Sequence, residues 1–74
     1  MNTELINKIN DRLLLLDIEK EHLKKEIRDL ESKKDEISLT LYCETFGTIS
    51  TKLVETKSKI TELNVVMNII KNNN

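Results

Sequence analysis

The stretch INKINDRLLLLDIEKEHLKKEIRDLESKKDEISLTL, residues 6–41, decides the fold. Large aliphatic residues recur in it at alternating steps of three and four. Taking Ile6 as heptad position a puts Ile6, Leu13, Lys20, Ile27, Lys34 and Leu41 at a, and Ile9, Leu16, Leu23, Leu30 and Ile37 at d. Heptads in unbroken phase over this length predict one continuous helix. After Leu41 the phase breaks, and a second series runs Phe46, Ile49, Leu53, Ile60, Leu63, Met67 and Ile70, with Thr56 as its one polar member. The break holds the only glycine, Gly47, a residue able to take the left-handed conformation that ends helices. Thr48 or Ser50 then stands where a hydroxyl can cap the helix that follows. The pattern predicts a single helical domain over residues 1–74: a helix at about 3–43, a turn at about 44–48, a shorter helix at about 49–71 and a frayed tail at 72–74. A competing boundary lies at Ser32, where Ser32 and Asp35 have the spacing of a weak capping box ahead of Ile37. The heptad phase runs straight through Ser32, which favours the break at Gly47.

Composition supports an all-α reading. The 74 residues carry 34% charged and 38% hydrophobic side chains, two aromatics, one glycine and no proline. With one glycine and no proline there is almost no turn chemistry, so a β or α/β fold needing several tight connections is not expected. Leu, Ile, Lys and Glu in a repeating pattern of this kind are the mark of a coiled coil. A chain this short supports only a small core, about 3–5 kcal/mol at best, so a partner is expected.

Helix lengths sharpen that expectation. At about 1.5 Å per residue, a helix over 3–43 is roughly 60 Å long and one over 49–71 roughly 35 Å. Folded back as an antiparallel hairpin, the first helix overhangs the second by its N-terminal third. The overhang carries Leu5, Ile6, Ile9, Leu13, Leu14, Leu15, Leu16 and Ile18, and leaving those side chains in water costs on the order of 10 kcal/mol. Leu14, Leu15 and Ile18 also fall at b, c and f, so residues 13–18 are apolar nearly all round, as in a helix surrounded by others. These eight residues are therefore the expected oligomerisation surface of a helical-bundle dimer or tetramer. Tyr42 and Phe46 flank the expected turn and are candidates for contact with a second partner.

Candidate chemistry is sparse. Glu19 and His22 have the Glu-x-x-His spacing of di-iron bundles, but their g and c positions diverge from the seam, so no metal site is expected. Cys43 is the only cysteine and reads as a small, partly buried apolar residue with no neighbouring cation to activate it. Lys20, Lys24, Lys25 and Arg28 form a basic stretch suited to nucleic acid, yet Asp17, Glu21, Glu31 and Asp35 share that surface and no aromatic interleaves it. Intrahelical pairs such as Glu21 with Lys25 account for these charges more simply. Catalytic residues and cofactors are not expected.

The N-terminal residues lack a basic-then-apolar signal pattern, the longest apolar run, Leu13–Leu16, is far too short to span a bilayer, and one cysteine allows no internal disulfide. These features predict a cytoplasmic protein, and abundant Asn, Lys and Ile fit an AT-rich source such as a phage or virus acting in host cytoplasm. The functional expectation is a non-enzymatic, self-associating coiled-coil module that binds a larger protein, as an adaptor, assembly chaperone or small inhibitor. The alternative is a nucleic-acid-associated regulator using the Lys20–Arg28 stretch.

Overall fold

The computed structural model describes residues 3–72. They form two helices, α1 (Thr3–Ser32) and α2 (Leu39–Asn72), joined by residues 33–38 and packed against each other as an antiparallel hairpin. The Cα trace measures 55 × 14 × 12 Å with a radius of gyration of 16.9 Å, against about 11 Å for a compact chain of this length. A pair of helices one layer thick has a seam in place of a globular core.

Both heptad series line that seam. Ile9, Leu16 and Leu23 of α1 and Ile49, Thr56 and Met67 of α2 are buried. Ile6, Leu13, Lys20, Ile27 and Leu30 on one side, and Leu53, Ile60, Leu63 and Ile70 on the other, are half-buried beside them. With the connection at 33–38, residue i of α1 lies opposite about residue 72 − i of α2, from the antiparallel geometry of two straight helices. Leu16, the most completely buried side chain at 1% exposure, thus sits level with Thr56. The Thr56 hydroxyl donates to the Lys52 carbonyl at 2.8 Å, so the one polar residue in the seam is satisfied within its own helix.

The helix boundary differs from the one the heptad phase suggests. Gly47 is an interior residue of α2, no glycine or other described residue has a positive φ, and the chain turns at 33–38. The expected long and short helices are in fact 30 and 34 residues long. Length matching explains the outcome. A glycine inside a helix costs about 1 kcal/mol relative to alanine, whereas an unpaired N-terminal third costs on the order of 10 kcal/mol in exposed aliphatic surface. Turning at 33–38 removes the overhang altogether, because α1 then lies alongside α2 for its whole length. Three residues assigned to the seam by the longer helix are displaced: Leu41 is 51% exposed on α2, and in the connection Lys34 is exposed and Ile37 half-buried.

The caps also differ from expectation. Ser38 starts α2: its side-chain oxygen accepts the Leu41 N–H at 3.1 Å and its carbonyl accepts the Tyr42 N–H at 2.9 Å. Ser32 closes α1, its hydroxyl donating to the Asp29 carbonyl at 2.7 Å, and so does not cap the second helix. Thr48 and Ser50 lie in the body of α2. The Thr48, Thr51 and Thr61 hydroxyls donate to the carbonyls four residues earlier at 3.0, 2.9 and 3.1 Å, as Thr56 does. Asn72 is the last helical residue, and residues 73 and 74 of the expected tail lie outside the described residues.

Candidate assembly surface

Closing the hairpin divides the eight expected oligomerisation residues by heptad position. Ile9 and Leu16, at d, are buried against α2, and Ile6 and Leu13, at a, are half-buried beside it. These four serve the intramolecular seam, because the overhang that would have freed them does not exist. Leu14, Leu15 and Ile18, off the seam, stay 61%, 58% and 58% exposed, and Leu5 stays 44% exposed. Leu14 to Ile18 and Leu15 to Ile18 are steps of four and three, so the three side chains are neighbours on the outer face of α1. Asp11 precedes this patch, and Glu21, His22 and Lys25 follow it, all exposed. It is an apolar island on a charged helix face, level with the middle of the hairpin.

A second exposed cluster went unnoticed in the sequence. Val65, Val66 and Ile69 of α2 are 52%, 41% and 55% exposed, and steps of three and four again place them on one face. In the antiparallel register Leu5 falls beside this cluster, at the open end of the hairpin. The available signal was their interleaving with Met67 and Ile70: apolar residues on both sides of a seam position mark a helix that is apolar beyond its seam. Val54, 63% exposed, lies alone near the middle of α2.

Tyr42 and Phe46 come together at the closed end. Their rings stack with centroids 6.0 Å apart and 19° between planes, the Lys34 ammonium sits 6.0 Å from the Tyr42 centroid, and the Tyr42 hydroxyl donates to the Glu31 carboxylate. The hydroxyl thus ties α2 back to the last turn of α1. The hydrogen bond to Glu31, helped by partial burial and the negative charge of that carboxylate, raises the Tyr42 phenol above its ordinary value. Much of Tyr42 is spent on the closure, while Phe46 keeps 38% of its surface exposed.

The remaining candidates lie on both helices. Lys20 sits in the seam at a, with its ammonium 3.2 Å from Asp17, and Lys24 pairs with Glu21 at 3.9 Å in place of the expected Glu21–Lys25 pair. Lys24 to Arg28 and Lys25 to Arg28 are steps of four and three, so these three basic residues are neighbours on α1, with Lys25 and Arg28 exposed and Lys24 half-buried. His22 turns to Glu26, 2.8 Å away, and leaves Glu19. Among the described residues no group of three or more His, Cys, Asp or Glu side chains is arranged to hold a metal ion. Cys43 is free and exposed, which corrects the partly buried placement expected of it: about one turn inside α2 it points away from the seam. Shallow open depressions line the outer surface of α2, one over Cys43, Gly47 and Thr51 and another over Val54, Ser58 and Thr61. Neither encloses a volume in which reacting groups could converge.

No helix among the described residues is long and apolar enough to cross a membrane. Comparison of the chain with protein-family models, with curated proteins and with solved structures finds no match.

Proposed function

We propose that this chain is a non-enzymatic interaction module: a helical hairpin that associates with copies of itself and with a larger protein through the outer face of α1. One observation carries the reading. After the hairpin has used every seam residue of α1, Leu14, Leu15 and Ile18 remain more than half exposed as one contiguous patch. A short chain with little core gains by covering such a patch, at about 1.5–3 kcal/mol for each large aliphatic side chain fully buried. The patch is ringed by Asp11, Glu21, His22 and Lys25, an arrangement of apolar centre and polar rim typical of protein contacts. A role as adaptor, assembly chaperone or inhibitor, as in a phage or viral accessory protein of the host cytoplasm, fits a module with a binding face and no enclosed pocket.

The test is light scattering on the wild-type chain and on the Leu15→Asp, Ile18→Asp double variant, with helicity followed by circular dichroism. The wild type is expected to exceed monomer mass, and the variant to lose that association while keeping its helical signal. Wild-type protein that stays monomeric at millimolar concentration, or a variant that associates as well as the wild type, refutes the role of this face.

A further inference from the structure

The outer face of α1 carries its charges in a definite order. Asp11, Ile18 and Lys25 are seven residues apart, so at about 100° per residue they fall within about 40° of one another round the helix and form one line along it. Leu14 and Leu15 flank that line one turn before Ile18, and Glu21 and His22 flank it one turn after. The aliphatic patch thus has an acid at one end and a base at the other. Arg12 and Glu19, also seven apart, run along one side of the line. Among the described residues Asp11, Arg12, Glu19 and Lys25 are exposed and form no ion pair, whereas their neighbours do: Glu4 with Lys8 at 3.5 Å, Asp17 with Lys20 at 3.2 Å, Glu21 with Lys24 at 3.9 Å and His22 with Glu26 at 2.8 Å.

A surface with this polarity is complementary to itself under a two-fold rotation, the condition for a closed dimer of identical chains. Laying a second copy antiparallel across the patch, with Leu15 of each facing Ile18 of the other, puts residue i level with about residue 33 − i of its neighbour. Leu14, Leu15 and Ile18 of both copies then form one apolar centre. Asp11 meets His22, with Lys25 less than a turn beyond, and Arg12 comes within about two residues of the level of Glu19 on the same flank. Each of these contacts occurs twice. At the edges the Glu4–Lys8 pair meets Lys25 and Asp29, two charges of each sign. Parallel pairing in register does the reverse: Asp11 faces Asp11 and Lys25 faces Lys25, like charges at close range.

We propose that the occupant of the Leu14, Leu15 and Ile18 patch is the same patch of a second copy, docked antiparallel about a two-fold axis near residues 16–17. The inference rests on the reading of this face as the association surface, and adds its partner and its direction. The axis lies close to the middle of α1 (Thr3–Ser32), so two closed hairpins lie side by side along almost their whole length, with the open end of one beside the closed end of the other. Occupied in this way, the patch is available to a larger protein only when the dimer parts.

The experiment uses the full chain and reads direction by disulfide formation. Cys43, free and exposed, is first replaced by Ser. Antiparallel docking sets Asp11 and His22 of opposite copies face to face, whereas the two copies of either residue lie about eleven residues, roughly 16 Å, apart, beyond the reach of a disulfide. Asp11→Cys with His22→Cys is therefore expected to give a covalent dimer on mild oxidation, and each single variant to stay uncrosslinked. Charge exchange checks the flank: Arg12→Glu and Glu19→Arg each weaken dimerisation roughly ten-fold by light scattering, because two attractive contacts turn repulsive per dimer, and the two changes together restore it. A wild type that stays monomeric at millimolar concentration removes both this proposal and self-association through the face. A dimer that Leu15→Asp with Ile18→Asp dissolves, but that crosslinks through the single cysteine variants or is not restored by the charge exchange, keeps the face and overturns the antiparallel docking.

Discussion

Replacing Gly47 by Ala tests the fold at the residue where the sequence pattern and the structure disagree. Gly47 sits in the interior of α2 with an ordinary negative φ, and a Cβ built on it has no heavy atom within 4 Å beyond its local helix. The substitution therefore meets no steric cost and gains the full difference in helix propensity, about 0.8–1.0 kcal/mol. For a domain of this size a gain of about 1 kcal/mol raises Tm by roughly 4–8 °C. The assay is thermal unfolding followed by circular dichroism at a fixed protein concentration, so that any association contributes equally to both proteins. Had the chain turned at Gly47 through a left-handed residue, the same methyl would be strained and Tm would fall, since Ala pays for positive φ at about the 1–2 kcal/mol level. A lower Tm for Gly47→Ala thus refutes a continuous α2 and restores the turn at 44–48.

The seam makes a sharper demand. Leu16→Ala, at the most buried position, is expected to cost about 3 kcal/mol, enough to unfold much of so small a structure, whereas Leu14→Ala, two residues away and 61% exposed, is expected to change hairpin stability by less than about 0.5 kcal/mol; chemical denaturation curves of equal midpoint for the two would contradict the register. Tyr42 is the only tyrosine, so its ultraviolet absorbance reports one phenol. Because its folded value is raised above the unfolded one, the stabilisation from Tyr42 is fully present below about pH 10 and lost as pH rises through the folded value. Glu31→Gln should move the phenol titration to lower pH, and an unchanged midpoint would mean that the Glu31 hydrogen bond is absent in solution.

The periodicity of residues 6–30 and 49–70 made both seam stripes readable in advance, because burial between two helices imposes a repeat that survives in the amino-acid order. Ile9, Leu16, Leu23, Ile49, Thr56 and Met67 all fall on the stripes so identified. The turn was harder to read. Ser32, Lys34 and Ile37 keep the heptad phase, and the residues of 33–38 lack any strong breaker, so local preference pointed to Gly47. The deciding term was global: the lengths of two helices that must cover each other. That term was already present in the overhang cost, which is about ten times the penalty for a helical glycine. Of the assembly face, Leu14, Leu15 and Ile18 were legible as apolar residues off the stripe. Val65, Val66 and Ile69 were not, because a helix placed only to satisfy its seam gives no reason to examine its flanks.

Helices of nearly equal length bring Thr3 and Asn72 to the same end of the rod, with the connection at 33–38 at the other end of a 55 Å body. Chain entering the rod leaves it close to where it entered. A segment with that geometry can be spliced into a surface loop of another protein without prising the loop apart, and it would then stand out as an arm carrying the Leu14–Ile18 face about halfway along its length. The same economy applies to fusion tags: placed at either terminus, they gather at one end and leave the Tyr42–Phe46 end clear.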